Sequence, residues 1–461
     1  MKNFKCAISV IAFLGLAAQS AVVCAEELQM NVTDALVASY QTNPGLEAAR
    51  AALRAVDENY AIAYAGFRPV VTGRGSYTST RSEGSGTLAT SSDPKEVSLT
   101  ATQSLYQGGS TVADVTEAAK TIKAARANLW RTEQAVLLDA VTVYMDVLRD
   151  QRIVDLNISN ERVLESHLEA SRERFRLGDI TKTDVSQAES RLASAVAGRI
   201  RAAADLKISR ARFEEVTGLV PTGQLPLPPT AALELPETLE AALEAASANN
   251  PRVIEAHHNG EAAAAGTRSI KGELLPSVDL SGSVVRTYDN NGVAGNKYVD
   301  QTSVALQATV PLYGGGDTYS RIRRARQIEA QRRREVDTAL RVVVQDTTDA
   351  WETLDAARAA LKAQTKQVEA ARLAEEGVRV EAQYGSRTTL DLLDAEQEYL
   401  TAQVARVISE RDIVVASYEL LSTVGKLTAD DLHLPVDIYD PTKNFQKVSG
   451  KWFGTRIDGG E

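Results

Sequence analysis

The sequence predicts an α+β membrane protein: a tandem repeat giving four transmembrane β-strands and long coiled-coil helices per chain. Three observations predict it. Landmarks recur at one fixed offset, the hydrophobic period switches from two to a helical spacing inside each copy, and an export leader is followed by no apolar helix.

The repeat comes first. Asn43-Pro44 recurs as Asn250-Pro251, an offset of 207 residues, and Pro69 recurs as Pro276 at the same offset. Leu105-Tyr106 with Gly108-Gly109 returns as Leu312-Tyr313 with Gly315-Gly316. Gly178, Thr181 and Asp184 return as Gly385, Thr388 and Asp391, Ala188-Glu189 as Ala395-Glu396, and Gly218 as Gly425. The chain therefore divides into a leader (1–25), a first repeat (26–220, hairpin about 68–106), a Pro-rich linker (221–236), a second repeat (237–427, hairpin about 275–313) and a tail (428–461). The tail carries no readable signal.

Within the first copy a helical stretch from about Thr33 to Gly66 ends where Pro69 forbids helix. Alternation follows: Val71, Gly73, Gly75 and Tyr77 on one face, then Val97, Leu99 and Ala101 against Ser98, Thr100 and Thr102. The second copy repeats it with Val278, Leu280 and Val284, then Val304, Leu306, Ala308 and Val310. Period two predicts a hairpin in each copy, with polar tips at Ser79 to Pro94 and Asp289 to Gln301.

After Gly109 the spacing becomes three, four or seven: Ile122, Ala125, Leu129, Val136, Ala140, Val143 and Val147, matched by Val336, Val343, Ala350, Leu354, Leu361 and Val368. A helix from about Ser110 to Leu177 extends on the order of 100 Å at ~1.5 Å per residue. It needs helical neighbours along its length, as in a coiled coil.

Lys2 and Lys5, an apolar run from Cys6 to Ala18 and Val23-Cys24-Ala25 read as a secretory leader cleaved before Glu26. Lipidation of Cys24 is the alternative, disfavoured by bulky Val22 and Val23. Both cysteines fall in the leader, so the mature chain has no disulfide or thiolate chemistry. Loss of the two lysines takes the formal charge from −10 to −12, a poor surface for nucleic acid.

Past the leader no run reaches the ~18 apolar residues of a membrane helix, so a span must be a closed barrel. The strands are about nine to eleven residues, enough to cross a bilayer when tilted. Four strands cannot close, and open edges in lipid leave unpaired backbone groups, so the barrel must be shared between two, three or four chains. The alternative is a water-exposed sheet in a periplasmic protein.

The repeat, the Asn-Pro openings, the Leu-Tyr-x-Gly-Gly turns and the Gly-x-x-Thr-x-x-Asp segments together resemble the TolC family of outer-membrane efflux and type I secretion proteins, over about Leu28 to Leu434. The resemblance implies a homotrimer with a 12-stranded barrel in outer-membrane lipid and a 12-helix tunnel projecting into the periplasm. It implies as partners a periplasmic adaptor (membrane fusion) protein and an inner-membrane RND or ABC transporter.

Gly178 and Gly385 break the long helices, and Thr181 and Thr388 stand as N-caps with Asp184 and Asp391 at the third helical position. Capping and a functional role both remain open for these carboxylates. Asp394, three residues after Asp391, matches Gln187 in the first copy, so capping does not account for it. The resemblance implies that Asp391 and Asp394 ring the periplasmic entrance, where cations could block, and that contacts of Asp184, Thr183 and Arg387 hold it shut. Ala382 stands where some relatives have tyrosine, and Tyr384 is the candidate substitute. Gly108, Gly109, Gly315 and Gly316 are the strand-to-helix turns.

The arginines Arg321, Arg323, Arg324, Arg326 and Arg332 to Arg334 read as a solvated face paired with Glu329 and Glu335, or else as a contact for anionic lipid headgroups. The histidines, His257 and His258 included, do not form an i,i+4 metal pair. Gly314-Gly315-Gly316 lacks the Lys-Ser/Thr of a phosphate loop. No enzyme motif, cofactor site or metal site is read. The predicted function is a passive conduit; a soluble periplasmic scaffold or adaptor is the competing reading.

Overall fold

The computed structural model describes residues 30–85, 87–228, 233–288 and 297–457, with the backbone alone for 87–91. The leader, Cys24 and most of the second hairpin tip lie outside the described residues.

The opening helical stretch is two helices, not one. α1 (Val32–Thr42) stops at Asn43, because Pro44 drives the preceding residue to extended backbone (ψ 118°), and α2 (Pro44–Tyr64) restarts with proline at its first turn. Asn43 Oδ1 accepts from the N–H groups of Gly45 and Leu46, while its Nδ2 donates to Val216 O at 3.1 Å. Asn250 repeats this with Arg252 N–H and Thr423 O at 2.8 Å. The recurring Asn-Pro thus caps one helix and fastens it to the end of another. A 3₁₀ turn (Ala65–Phe67) leads from α2 to the sheet.

The strands are β1 (Val70–Tyr77), β2 (Thr80–Gly84), β3 (Thr87–Ser92) and β4 (Lys95–Gln107) in the first copy. After the linker and helices α5 and α6 come β5 (Ser277–Tyr288) and β6 (Tyr298–Thr309). At 8, 13, 12 and 12 residues, β1, β4, β5 and β6 straddle the predicted length. They form one antiparallel sheet in the order β1-β4-β5-β6, so the two hairpins join through β4 and β5. The first polar tip contains the β2-β3 ribbon. Threonines at 80, 87 and 90 favour extended chain there.

Register carries the alternation across the whole sheet. Val71 faces Ala101, Leu99 faces Val284, Leu280 faces Leu306 and Gly282 faces Val304, so the apolar residues of all four strands share one face. That face is bare on the single chain: Val304 is 77% and Leu306 68% exposed. The opposite face is Ser/Thr-rich, with Ser283 and Ser303 hydroxyls 2.8 Å apart. A row of Tyr77, Tyr288 and Tyr298 tops the apolar face toward the tip.

The helices α3 (Ser110–Leu177) and α4 (Lys182–Thr217) follow the first hairpin. α5 (Leu239–Asn249) and α6 (Pro251–Gly272) precede the second, and α7 (Asp317–Gln383) and α8 (Thr389–Thr423) follow it; α9 (Lys443–Val448) lies in the tail. The apolar seam predicted on α3 is buried at Ile122, Leu129, Ala140, Val143 and Val147. α3 packs chiefly against α4, α6, α2 and α8, and α7 against α8, α6 and α5. The linker docks on α3 through Tyr144, whose hydroxyl donates to Pro226 O at 2.7 Å, and through Gln151, which holds Gly223 O and Leu225 N–H. The end of the second repeat at Leu427 and the start of the tail, at Ala429 and Leu434, are buried in the same core.

At Gly108 (φ +61°) an added Cβ would lie 2.0 Å from Gly272 O, at the end of α6 in the other copy. Only glycine allows that approach. Gly109, Gly315 and Gly316 also take positive φ at their strand-to-helix turns.

Candidate functional site

Both long helices end on a left-handed glycine, Gly178 (φ +85°) and Gly385 (φ +75°), where the chain reverses into the next helix. Thr181 and Thr388 then cap α4 and α8. Asp184 Oδ2 accepts from Thr181 N and Oγ1, both at 2.8 Å, and Asp391 Oδ2 from Thr388 N and Oγ1 at 3.0 and 2.8 Å. Each aspartate returns its own N–H to the threonine hydroxyl, which completes a capping box. Those bonds, the Thr backbone N–H foremost, hold both carboxyls below the usual range, so they stay charged. Both aspartates are therefore caps; capping leaves their charge at the tip of the helical hairpins.

Asp394 has another partner. Its Oδ1 accepts from Arg191 Nη2 at 2.5 Å, a bond from α8 of the second copy to α4 of the first. Arg387 Nε donates to Glu381 Oε2 at 3.0 Å, within its own turn. The single chain thus does not bring Arg387 to Asp184 or Thr183. Tyr384, at the end of α7, is 84% exposed, and Thr183 is exposed beside the first cap.

Sequence reasoning missed the pairs that cross between copies. Arg191 is one. His167 is another: its Nε2 lies 2.5 Å from Glu396 Oε1, linking α3 to α8, and Glu396 is buried. The Glu396 hydrogen bond raises the imidazole pKa. Arg152 with Glu410 and Arg411 with Asp146 (3.0 Å) tie the same two helices higher up. The only sequence signal is a break in the repeat, since His167 aligns with Ala374 and Arg191 with Glu398.

The arginine cluster is paired largely as the solvated-face reading expects: Arg333 with Glu329 (2.5 Å), Arg332 with Glu335 (2.7 Å), and Arg321 with Asp317 (2.8 Å) and Glu273. His258 Nδ1 and His257 Nδ1 converge on Glu261 at 2.8 and 3.7 Å, a closer grouping than their adjacency predicted. Lys120 Nζ sits 2.9 Å from both Glu261 oxygens, so that carboxylate already has its counter-charge.

Among the described residues no helix is long and apolar enough to cross a membrane. The one element suited to lipid is the sheet, and the arrangement is a sheet at one end and charged helix reversals at the other. A family model described as "Outer membrane efflux protein" matches residues 35–219 and 242–426. The outer membrane efflux protein BepC of Brucella suis is 36% identical over 435 residues, covering 94% of this chain and 93% of its own. The outer membrane protein TolC of Vibrio cholerae is 26% identical, over 74% of this chain and 79% of its own. The crystal structure of the Campylobacter jejuni CmeC outer membrane channel superposes with a TM-score of 0.78 at 13% identity, over 91% of this chain and 89% of that one.

Proposed function

The chain belongs to the outer membrane efflux protein family, whose members are outer-membrane channel proteins and not enzymes, and on that premise we propose that three copies form a passive export conduit. Each contributes four strands to a 12-stranded barrel and its long helices to a 12-helix tunnel in the periplasm. The observation that carries this reading is the sheet: one face apolar and bare, with β1 and β6 pairing on one side only among the described strands. Lipid tolerates no unpaired edge, so β6 must meet β1 of the next copy.

At the far end the entrance is formed by the helix reversals, with Asp391 and Asp394 of each copy as the charged constriction. Asp184, Thr183, Arg387 and Tyr384 line the same rim. Arg387 is free to exchange Glu381 for a carboxylate of the neighbouring copy, which gives a closed state held by bonds between copies. A periplasmic adaptor and an inner-membrane RND or ABC transporter supply the energy and open the rim; drugs, toxic compounds or secreted proteins are the cargo. Planar-bilayer recording of the detergent-extracted protein tests it. Discrete channel steps are expected, and a silent membrane at full incorporation would overturn the conduit.

A further inference from the structure

Residues 443–457 contain Lys443, Lys447, Lys451 and Arg456 and no acidic residue, in a chain of formal charge −10. Among those cations stand Phe445, Trp452, Phe453 and Ile457. Basic residues interleaved with Trp and Phe are the composition of a segment that lies at a membrane interface.

The structure takes this segment to the membrane end of the molecule. α9 is held on α2: Phe445 meets the Tyr60 ring edge-on at 5.0 Å, and Asn444 Nδ2 donates to the buried Asp57 at 2.9 Å. An aromatic ladder then climbs α2 to the sheet, Tyr60 to Tyr64 at 6.1 Å and Tyr64 to Phe67 at 5.4 Å. Arg68, two residues before β1, donates to Lys451 O at 2.6 Å, and its guanidinium lies over both Tyr64 (5.4 Å) and Trp452 (4.8 Å). Fastened there, the chain turns its apolar side chains outward: Trp452 is 64%, Phe453 90% and Ile457 84% exposed.

We propose that Lys443–Ile457 is an interfacial anchor whose Trp452 and Phe453 enter the periplasmic-side leaflet of the outer membrane at the foot of the sheet. The position fits the span. Ten residues separate Tyr288, in the tyrosine row, from Val278 near the foot; at ~3.4 Å per residue and a tilt of about 40° that is roughly 25 Å, one apolar barrel band. Trp452 therefore supplies an aromatic girdle at the interface opposite the tyrosine row, while Lys447, Lys451 and Arg456 face lipid phosphates. The seat is at Arg68, two residues before β1, a strand of the sheet whose apolar face is bare, which makes phospholipid the occupant; a neighbouring copy is the competing one.

The proposal rests on the sheet being the membrane seat, and the test separates the two. In full-length W130F/W351F protein, Trp452 is the remaining tryptophan of three. Reconstituted in nanodiscs of phosphatidylethanolamine and phosphatidylglycerol, its emission should fall with bromine at shallow acyl positions, less with deep bromine, and little with aqueous iodide. No loss to bromolipid overturns the anchor: iodide quenching then means solvent, and quenching by neither means cover by a neighbouring copy. Wild-type protein labelled with 5-fluorotryptophan gives the same contrast with spin-labelled lipid, without substitutions. A control probe, Val304→Trp in W130F/W351F/W452F, must be quenched by bromolipid. If that probe is silent the membrane seat fails; if only Trp452 is silent the anchor alone fails.

Discussion

The two copies of the repeat build the same elements and surround them differently. α3 buries 21 side chains, whereas α7, its counterpart 207 residues on, buries 8. Leu137 is fully buried, yet the equivalent Val344 is 42% exposed. The linker and the tail, which lie outside the repeat, both fold onto the first copy, and α6 and α8 of the second copy pack there too. α7 receives α5, α6 and α8 and keeps an open flank. The sheet treats the copies alike: each gives one strand paired on both sides, β4 or β5, and one, β1 or β6, paired on a single side among the described strands. The repeat encodes helices and strands; the unrepeated segments decide which surfaces stay open.

The sharpest way to break this comparison is to cut both counterparts. Leu137→Ala leaves a cavity in a closed core and should cost about 2–5 kcal/mol, read by thermal unfolding in detergent, whereas Val344→Ala should stay within about 0.5 kcal/mol of wild type in the dissociated chain. Equal losses would show that the two settings do not differ. Val344→Asp should spare the fold of one chain and weaken assembly by on the order of 1–3 kcal/mol, seen as loss of the oligomer at low concentration. An unchanged oligomer would mean the flank faces solvent.

Two further tests concern contacts that only one copy makes. His167 has its pKa raised by the Glu396 hydrogen bond. Its contribution is therefore complete below the unfolded value near 6.5 and is lost as pH rises through the higher folded value. Wild-type stability should fall over that window by on the order of 1 kcal/mol more than that of His167→Gln; parallel profiles would remove the pair. The smallest effect is expected at the rim. Asp391→Ala with Asp394→Ala should weaken block by multivalent cations in planar bilayers, and Arg191→Ala, by freeing Asp394, should strengthen it at most about fivefold, the scale of an exposed ion pair. Unchanged block in both would take those residues out of the constriction.

The large elements were legible because period and offset are local signals. Val71 to Tyr77 and Leu99 to Thr102 announce strands by alternation, and the α3 seam by helical spacing. The break at Asn43-Pro44 has a local cause in the proline, but the junction it makes was not legible, since Asn43 fastens to Val216, far along the chain. Asp184 and Asp391 were legible as caps for the same local reason. Arg191 with Asp394 and His167 with Glu396 were not, because which α3 and α4 residues meet α8 depends on how the helices pair, and periodicity says nothing of that. The tail was not legible: its four cations and Trp452-Phe453 acquire a meaning only from their place beside Arg68, which required the fold.

Native mass measurement of the protein released from lipid nanodiscs tests the central claim most directly, that one chain is a fraction of a pore. Three chain masses are expected, with β1 and β6 amides exchanging as slowly as those of β4 and β5. A single chain mass from membrane-inserted protein, with fast exchange at both edges, would contradict it.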